Sequence, residues 1–235
     1  MPPDLTIALC LRDDENRIAD MARAAVEVAH TLAGEYAAGE WTDATRPASP
    51  EIDPDDPDPS DPDPSDLDPS DPDPSDPALR FELLALDESS RDNTLSVLSI
   101  LHAKLPQLRT FQGLAPGTAV MRAARSARGR AWLLVDSPFD PEHGLWATRQ
   151  VFCGDKAAIV PGEVLAVHRN LGQAALGWLT GGLVSAQQEV EHLLESHGQR
   201  PAWSPPRERA LRARARLFVR GRLGRMGLGQ FDRRS

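Results

Sequence analysis

The chain has 235 residues and a formal charge of −9, enough length for one domain with appendages and a sizeable core. The charge is uneven: Glu51–Pro77 holds 12 acidic residues and no basic ones, so the rest carries a formal +3 and the acidity is local. No run approaches the roughly 20 apolar residues of a membrane span, and no signal peptide is expected, which points to the cytoplasm.

Leu5–Leu11 (LTIALCL) reads as a buried strand. It ends in Arg12-Asp13-Asp14-Glu15, and a helix is expected from about Asn16 to Leu32, N-capped by Asp13 or Asp14. Cys10 and Cys153 both sit in apolar sequence and are expected as buried free thiols, in keeping with a reducing compartment. Residues 44–77 are a short-period repeat of Asp, Pro and Ser. Proline removes donors, like charges repel, and neither a core nor a ladder can form, so a solvated insertion is expected. Weak, non-specific cation binding is the competing reading, but the repeat lacks the glycine of a calcium loop.

Phe81–Leu86 is a second apolar run, stopped by the polar cluster Asp87–Thr94. The pattern is a strand, a loop that can cap, and a helix from Leu95 to about Lys104, ended by Pro106. In open α/β sheets ligands bind at such carboxyl ends of strands. Leu108–Phe111 is expected as a short edge strand. Gly117 precedes a helix from Thr118 to about Ala127, with Gly129 as its stop, and Ala131–Val135 is a strand closed by Asp136. Gly162–Arg169 is expected as a strand and Leu183–Gly198 as a helix. The C-terminal stretch Arg207–Ser235 interleaves ten arginines with apolar residues. That mix suits an amphipathic segment on an anionic bilayer, giving peripheral contact at the inner membrane face. A solvated tail competes with it, and a nucleic-acid arm lacks stacking aromatics.

LALDESSRDNT resembles the V-D-D-G-S-x-D-x-T segment of family 2 glycosyltransferases: Asp87, Ser90, Asp92 and Thr94 match, Glu88 stands for the second Asp and Ser89 for the Gly. Asp14-Glu15 fits the Asn-Glu that ends that family's first strand, without its Pro. Gly113–Glu142 resembles the run G-x-G-x-A-x-x-x-A-x-x-x-A-x-G-D, an apolar strand and Asp-x-Asp, closest to the branch that uses or makes polyprenyl-phosphate sugars. Leu183–Gly198 is similar to the helix E-D-x-E-L-x-x-R-x-x-x-x-G, with Glu189, Val190 and Gly198 in place.

The resemblance implies a GT-A-like three-layer α/β/α sandwich with a mostly parallel sheet, formed by residues 1–43 and 78–206. It implies a UDP- or GDP-linked sugar as donor, an unknown acceptor for which a lipid-linked molecule is one option, and Mg or Mn as cofactor. Glu15, Asp87 and Asp136 would line the nucleotide pocket, with Asp136 also at the metal. Two demanding positions depart from the pattern. The second Asp of Asp-x-Asp falls on Pro138, which leaves Asp140 or Glu142 to reach the metal. The carboxylate base falls on Gln187, which leaves Glu189 as the substitute. Two functions follow: a transferase, or a non-catalytic domain that binds nucleotide sugars or acts as a scaffold. An unrelated nucleotide-binding α/β domain is the third reading.

Overall fold

The computed structural model describes residues 3–38 and 79–204. The Asp/Pro/Ser segment 44–77 and the arginine-rich segment 207–235 lie outside the described residues. The elements in order are β1 (Leu5–Leu11), α1 (Ile18–Ala37), β2 (Phe81–Asp87), α2 (Thr94–Lys104), β3 (Leu108–Phe111), α3 (Ala119–Ser126), β4 (Ala131–Val135), α4 (Pro141–Phe152), β5 (Ala157–Val160), β6 (Val164–His168), α5 (Arg169–Leu176), α6 (Leu183–Ser196) and β7 (Ala202–Trp203).

β1 and β4 are buried along their whole length, and β2 at every position but its first. A strand covered on both faces has no need of alternation, so it reads as a continuous apolar run. Leu5, Ile7, Leu9 and Leu11 face one core, shared with α1, α2 and α4; Ala8 and Cys10 face the other, shared with α3, α5 and α6. The result is the three-layer sandwich expected from the sequence. Its seven strands run in the order β3-β2-β1-β4-β6-β5-β7. β1 pairs in parallel with β2 and β4, and β2 with β3, whereas β6 is antiparallel to both β4 and β5.

That order contains the feature that matters for a ligand. From β1 the chain winds outward to β2 and β3, then returns to place β4 on the other side of β1. Loops leaving β1 and β4 therefore diverge, and a crevice opens at their carboxyl ends. Leu11 is in register with Asp87, and Leu9 with Val135, so the polar residues that follow all three strands sit at one edge.

The opposite edge is closed by a buried polar network. Glu82 accepts from the Thr6 hydroxyl at 2.8 Å, the Arg128 N–H at 2.7 Å and Arg109 Nη1 at 2.8 Å. Thr6 Oγ1 in turn accepts from the Gly129 N–H at 2.9 Å. Gly129 is glycine because of this approach: a Cβ there would lie 2.6 Å from the Thr6 backbone nitrogen. The helix-stop role expected for it falls instead to Ala127, whose extended backbone ends α3.

Several local expectations change. α1 continues to Ala37, because Leu32, Ala33 and Tyr36 extend its apolar stripe past the expected end. Neither Asp13 nor Asp14 caps it through its side chain; the Asp14 carbonyl accepts from the N–H groups of Arg17 and Ile18 and begins the first turn. Cys153 is exposed, since it is the residue after the last apolar position of α4. Cys10 is buried as expected, and burial, then the charges of Asp136 and Glu88, push its thiol well above the ordinary range.

Candidate functional site

A cleft of about 820 Å³ lies at the carboxyl edge of β1 and β4. The end of β1 and the residues after it supply Cys10, Leu11, Arg12, Asp13, Asp14 and Arg17. The loop after β2 supplies Glu88, the end of β4 supplies Asp136 and Ser137, and Gly117, Gly162, Gly181 and Gly182 line the rest with Ala119, Val120 and Val184.

Each wall is held by specific bonds. The loops after β1 and β2 are knitted together reciprocally. The Asp13 N–H donates to Ser90 Oγ at 3.0 Å, and the Arg91 N–H donates to Asp13 Oδ1 at 2.7 Å. The Asp14 N–H donates to Thr94 Oγ1 at 2.9 Å, and the Glu15 N–H to Asp92 Oδ2 at 3.0 Å. This pairing holds Asp13 in the left-handed region, at φ 54°, a conformation that Asp tolerates better than most side chains. Burial pushes the Asp92 carboxyl up, but bonds from the Thr94 hydroxyl and the N–H groups of Glu15 and Thr94 outweigh it, and Asp92 sits below the ordinary range.

Two carboxylates meet two helix N-termini at the floor. Glu88 Oε1 accepts the Ala119 N–H of α3 at 2.9 Å, and Asp136 Oδ2 accepts the Leu183 N–H of α6 at 3.4 Å. The Gly181 N–H donates to the Gly117 carbonyl at 2.7 Å, which ties the two helix starts together. A Cβ on Gly117 would sit 3.4 Å from that nitrogen, and both glycines have positive φ, so this close crossing suits glycine alone.

Of the candidates Glu15, Asp87, Asp136, Asp140, Glu142 and Glu189, Asp136 is the one that lines the cleft. Asp87 is fully buried, and its carboxylate accepts from the Ser90 N–H and hydroxyl. Glu15 is spent on Asn93, accepting from its N–H at 3.3 Å and its side-chain amide at 3.2 Å. Asp140 caps α4 by accepting the Glu142 N–H at 3.0 Å, because Asp140-Pro141 starts that helix rather than bending back toward Asp136. Glu189 is absent from the cleft lining. The position expected for a base holds Gln187, which is buried. Its Nε2 donates to the carbonyls of Val160 and Val164 at 2.9 Å each, and its Oε1 accepts the Gly162 N–H at 3.0 Å.

Among the described residues no three His, Cys, Asp or Glu side chains converge on one point, so a divalent ion in this cleft would take part of its ligands from a nucleotide's phosphates. The cleft's own positive charge is Arg12 and Arg17, neither of which the sequence reading selected. Their signal was available, since Arg12 follows directly on β1 and Arg17 directly precedes α1, both in the loop at the sheet edge. Asp14, buried beneath them, holds Arg17 by an ion pair and accepts the Arg12 N–H at 2.7 Å. The arrangement can therefore receive a ligand that is anionic at one end and rich in hydroxyl or N–H donors at the other.

No protein-family model matches the sequence, and no curated protein matches it. Solved structures do resemble it. A mycobacterial protein superposes with a TM-score of 0.51 at 14% identity, over 96% of this chain and 76% of that one. TarS 1–349 of S. aureus in complex with UDP gives 0.32 at 17% identity, over 57% of this chain and 27% of that one. Mannosyltransferase PcManGT of Pyrobaculum calidifontis, in complex with GDP-Man and Mn2+, gives 0.45 at 14% identity, over 87% of this chain and 55% of that one. The chain thus spans about a quarter of that TarS chain and just over half of the mannosyltransferase. The likeness is one of fold.

Proposed function

We propose that this chain is a glycosyltransferase-type domain that holds a UDP- or GDP-linked sugar in the cleft between β1 and β4. The carrying observation is the position of Asp136. It follows the strand beyond the switch point and faces a glycine-lined crevice, with the basic residues Arg12 and Arg17 across from it. The sequence resemblance around Asp87 and Asp136 supports the same reading. In it, Asp136 accepts from donor hydroxyls, and the two guanidiniums meet the diphosphate. An arginine is suited to that task because its planar fork pairs with phosphate oxygens. Because two guanidiniums line the same cleft as Asp136, we propose that nucleotide binding does not require a divalent ion. The acceptor is unassigned.

Transfer would release a nucleoside diphosphate and require a group to take the acceptor's proton. A second reading, binding without transfer, is favoured by one observation: Gln187 is locked into the fold by three hydrogen bonds and carries no proton-accepting group at useful pH. Incubating the full chain with UDP-sugars and GDP-sugars and following nucleotide release separates the two. Release that is lost in Asp136→Ala supports transferase chemistry. Tight binding with no release over a panel of donors and sugar acceptors supports the second reading.

A further inference from the structure

The outward side of α3 and the residue just past its end present exposed charge away from the cleft's arginines. Arg122 and Arg125 on α3, and Arg128 just past its end, are exposed, while Val120, Ala123 and Ala124 on the other side of the helix are buried. Among the described residues, no ion pair involves these three arginines. Two of them lie against rings instead. The Arg122 guanidinium is 4.6 Å from the centre of Phe111, and that of Arg125 is 4.6 Å from the centre of Trp178. Arg125 Nε also donates to the Gly177 carbonyl at 3.0 Å, so the loop carrying Trp178 is tethered to α3. Trp178 is nevertheless 85% exposed. Water is an expensive place to leave an indole that is held in position.

We propose that this face, Arg122, Arg125, Arg128 and Trp178, docks on an anionic lipid surface. The two chemistries it displays are those of the bilayer interface. Guanidiniums pair with headgroup phosphates, each basic side chain gaining from the negative surface potential. An indole with an apolar body and a polar N–H settles at headgroup depth. Single-stranded nucleic acid is the other polyanion to consider, but it needs successive stacking platforms. Among the described residues the exposed large hydrophobics are Ile100 and Trp178, a single ring. The geometry also links this face to the cleft. Ala119 and Val120, at the start of α3, line the cleft, and the Trp178 loop runs on to Gly181 and Gly182 within it. Docking by this face brings the mouth of the cleft beside the headgroups. The inference stands apart from the donor-site reading, since it rests on different side chains.

The test is flotation of the full chain with vesicles of phosphatidylcholine alone or mixed with phosphatidylglycerol, in the absence of nucleotide. Binding is expected to the mixed vesicles only and to fall as salt rises. Arg122→Glu and Arg125→Glu should each lower the partition at least roughly fivefold. Quenching of fluorescence by brominated lipid should drop in Trp178→Phe, although the chain has five tryptophans. Each substitution leaves Arg207–Ser235 intact. Unchanged partition in all three variants would assign vesicle binding to that segment and overturn the proposal. No binding to either vesicle would overturn it too, as would loss in these variants of RNA binding rather than of vesicle binding. Any of these results leaves nucleotide titration as an independent test of the cleft.

Discussion

Gln187 clamps the β5–β6 turn, and Gly162 is at the centre of it: the Gly162 N–H donates to Gln187 Oε1 at 3.0 Å. The same amide donates to the carbonyls of Val160 and Val164 on either side. Three backbone groups of a tight turn are thus satisfied by one side chain from α6. Both donors and the acceptor of this amide are used, which is why a carboxylate cannot replace it: the oxygen in place of Nε2 would face two carbonyls.

Gln187→Ala should therefore destabilise the fold by about 2–4 kcal/mol, because buried carbonyls lose their donor. Gln187→Glu, which restores the kind of group expected of a base, should cost at least as much and give no gain in donor turnover. Urea denaturation of both variants, with a nucleotide-release assay on the second, checks this. A stable Gln187→Glu variant that turns over donor would show that the clamp is dispensable.

Glu82 is a partly comparable case at the opposite edge of the sheet. Its carboxylate serves Thr6, Arg109 and the Arg128 backbone, and it is buried. Glu82→Ala should cost about 3–5 kcal/mol, since it leaves buried donors without an acceptor. Thr6→Val should cost about 1–2 kcal/mol, as it keeps the shape and loses one hydroxyl. Neither variant should alter nucleotide affinity in protein that remains folded.

Two glycines should respond oppositely to the same substitution. Gly129→Ala places a methyl 2.6 Å from the Thr6 backbone and should lower stability by about 3 kcal/mol or more. Gly34 lies within α1 with open space where a Cβ would stand, so Gly34→Ala should raise stability by about 0.5–1 kcal/mol. Thermal melts of the pair read both signs at once.

The acid side of the stability profile should have two steps. His168 caps α5 by accepting the Asn170 N–H at Nδ1. Burial, then Lys156 and Arg130, holds its pKa below the usual 6.5. The unfolded chain takes up this proton first. The contribution of His168 is thus fully present above pH 6.5 and is lost as pH falls from there through the lowered value. Asp92 acts in the same sense further down, its contribution lost as pH falls below about 3.8. His168→Gln should remove the upper step, and Asp92→Asn the lower, in denaturation followed against pH.

The strands that build the cleft were legible in the sequence because β1, β2 and β4 are buried on both faces and appear as unbroken apolar runs. Asp136 was legible for the same reason, as the acid that stops such a run. Elements beyond β4 were less so. α4 announces itself only by Asp140-Pro141, a cap followed by proline at the first helical position. β5 and β7 are short, at four and two residues, and carry little periodicity. The fates of Asp87 and Glu15 could not be read at all. Their hydrogen bonds depend on loop geometry that spacing does not reveal: Asp87 is bonded by Ser90 in its own loop, and Glu15 by Asn93 in the neighbouring one.

The most direct measurement is calorimetric titration of UDP and GDP into the full chain, with and without manganese. At least one nucleotide should bind in both conditions, with affinities within about threefold of each other. Asp136→Ala and Arg12→Ala should each weaken that binding about tenfold or more, as expected for loss of a charged partner, while Asp140→Ala should leave it unchanged. Absence of binding for both nucleotides, or binding that persists in Asp136→Ala and Arg12→Ala, would contradict a donor site in this cleft. Binding that appears only with manganese would contradict the role given to the two arginines.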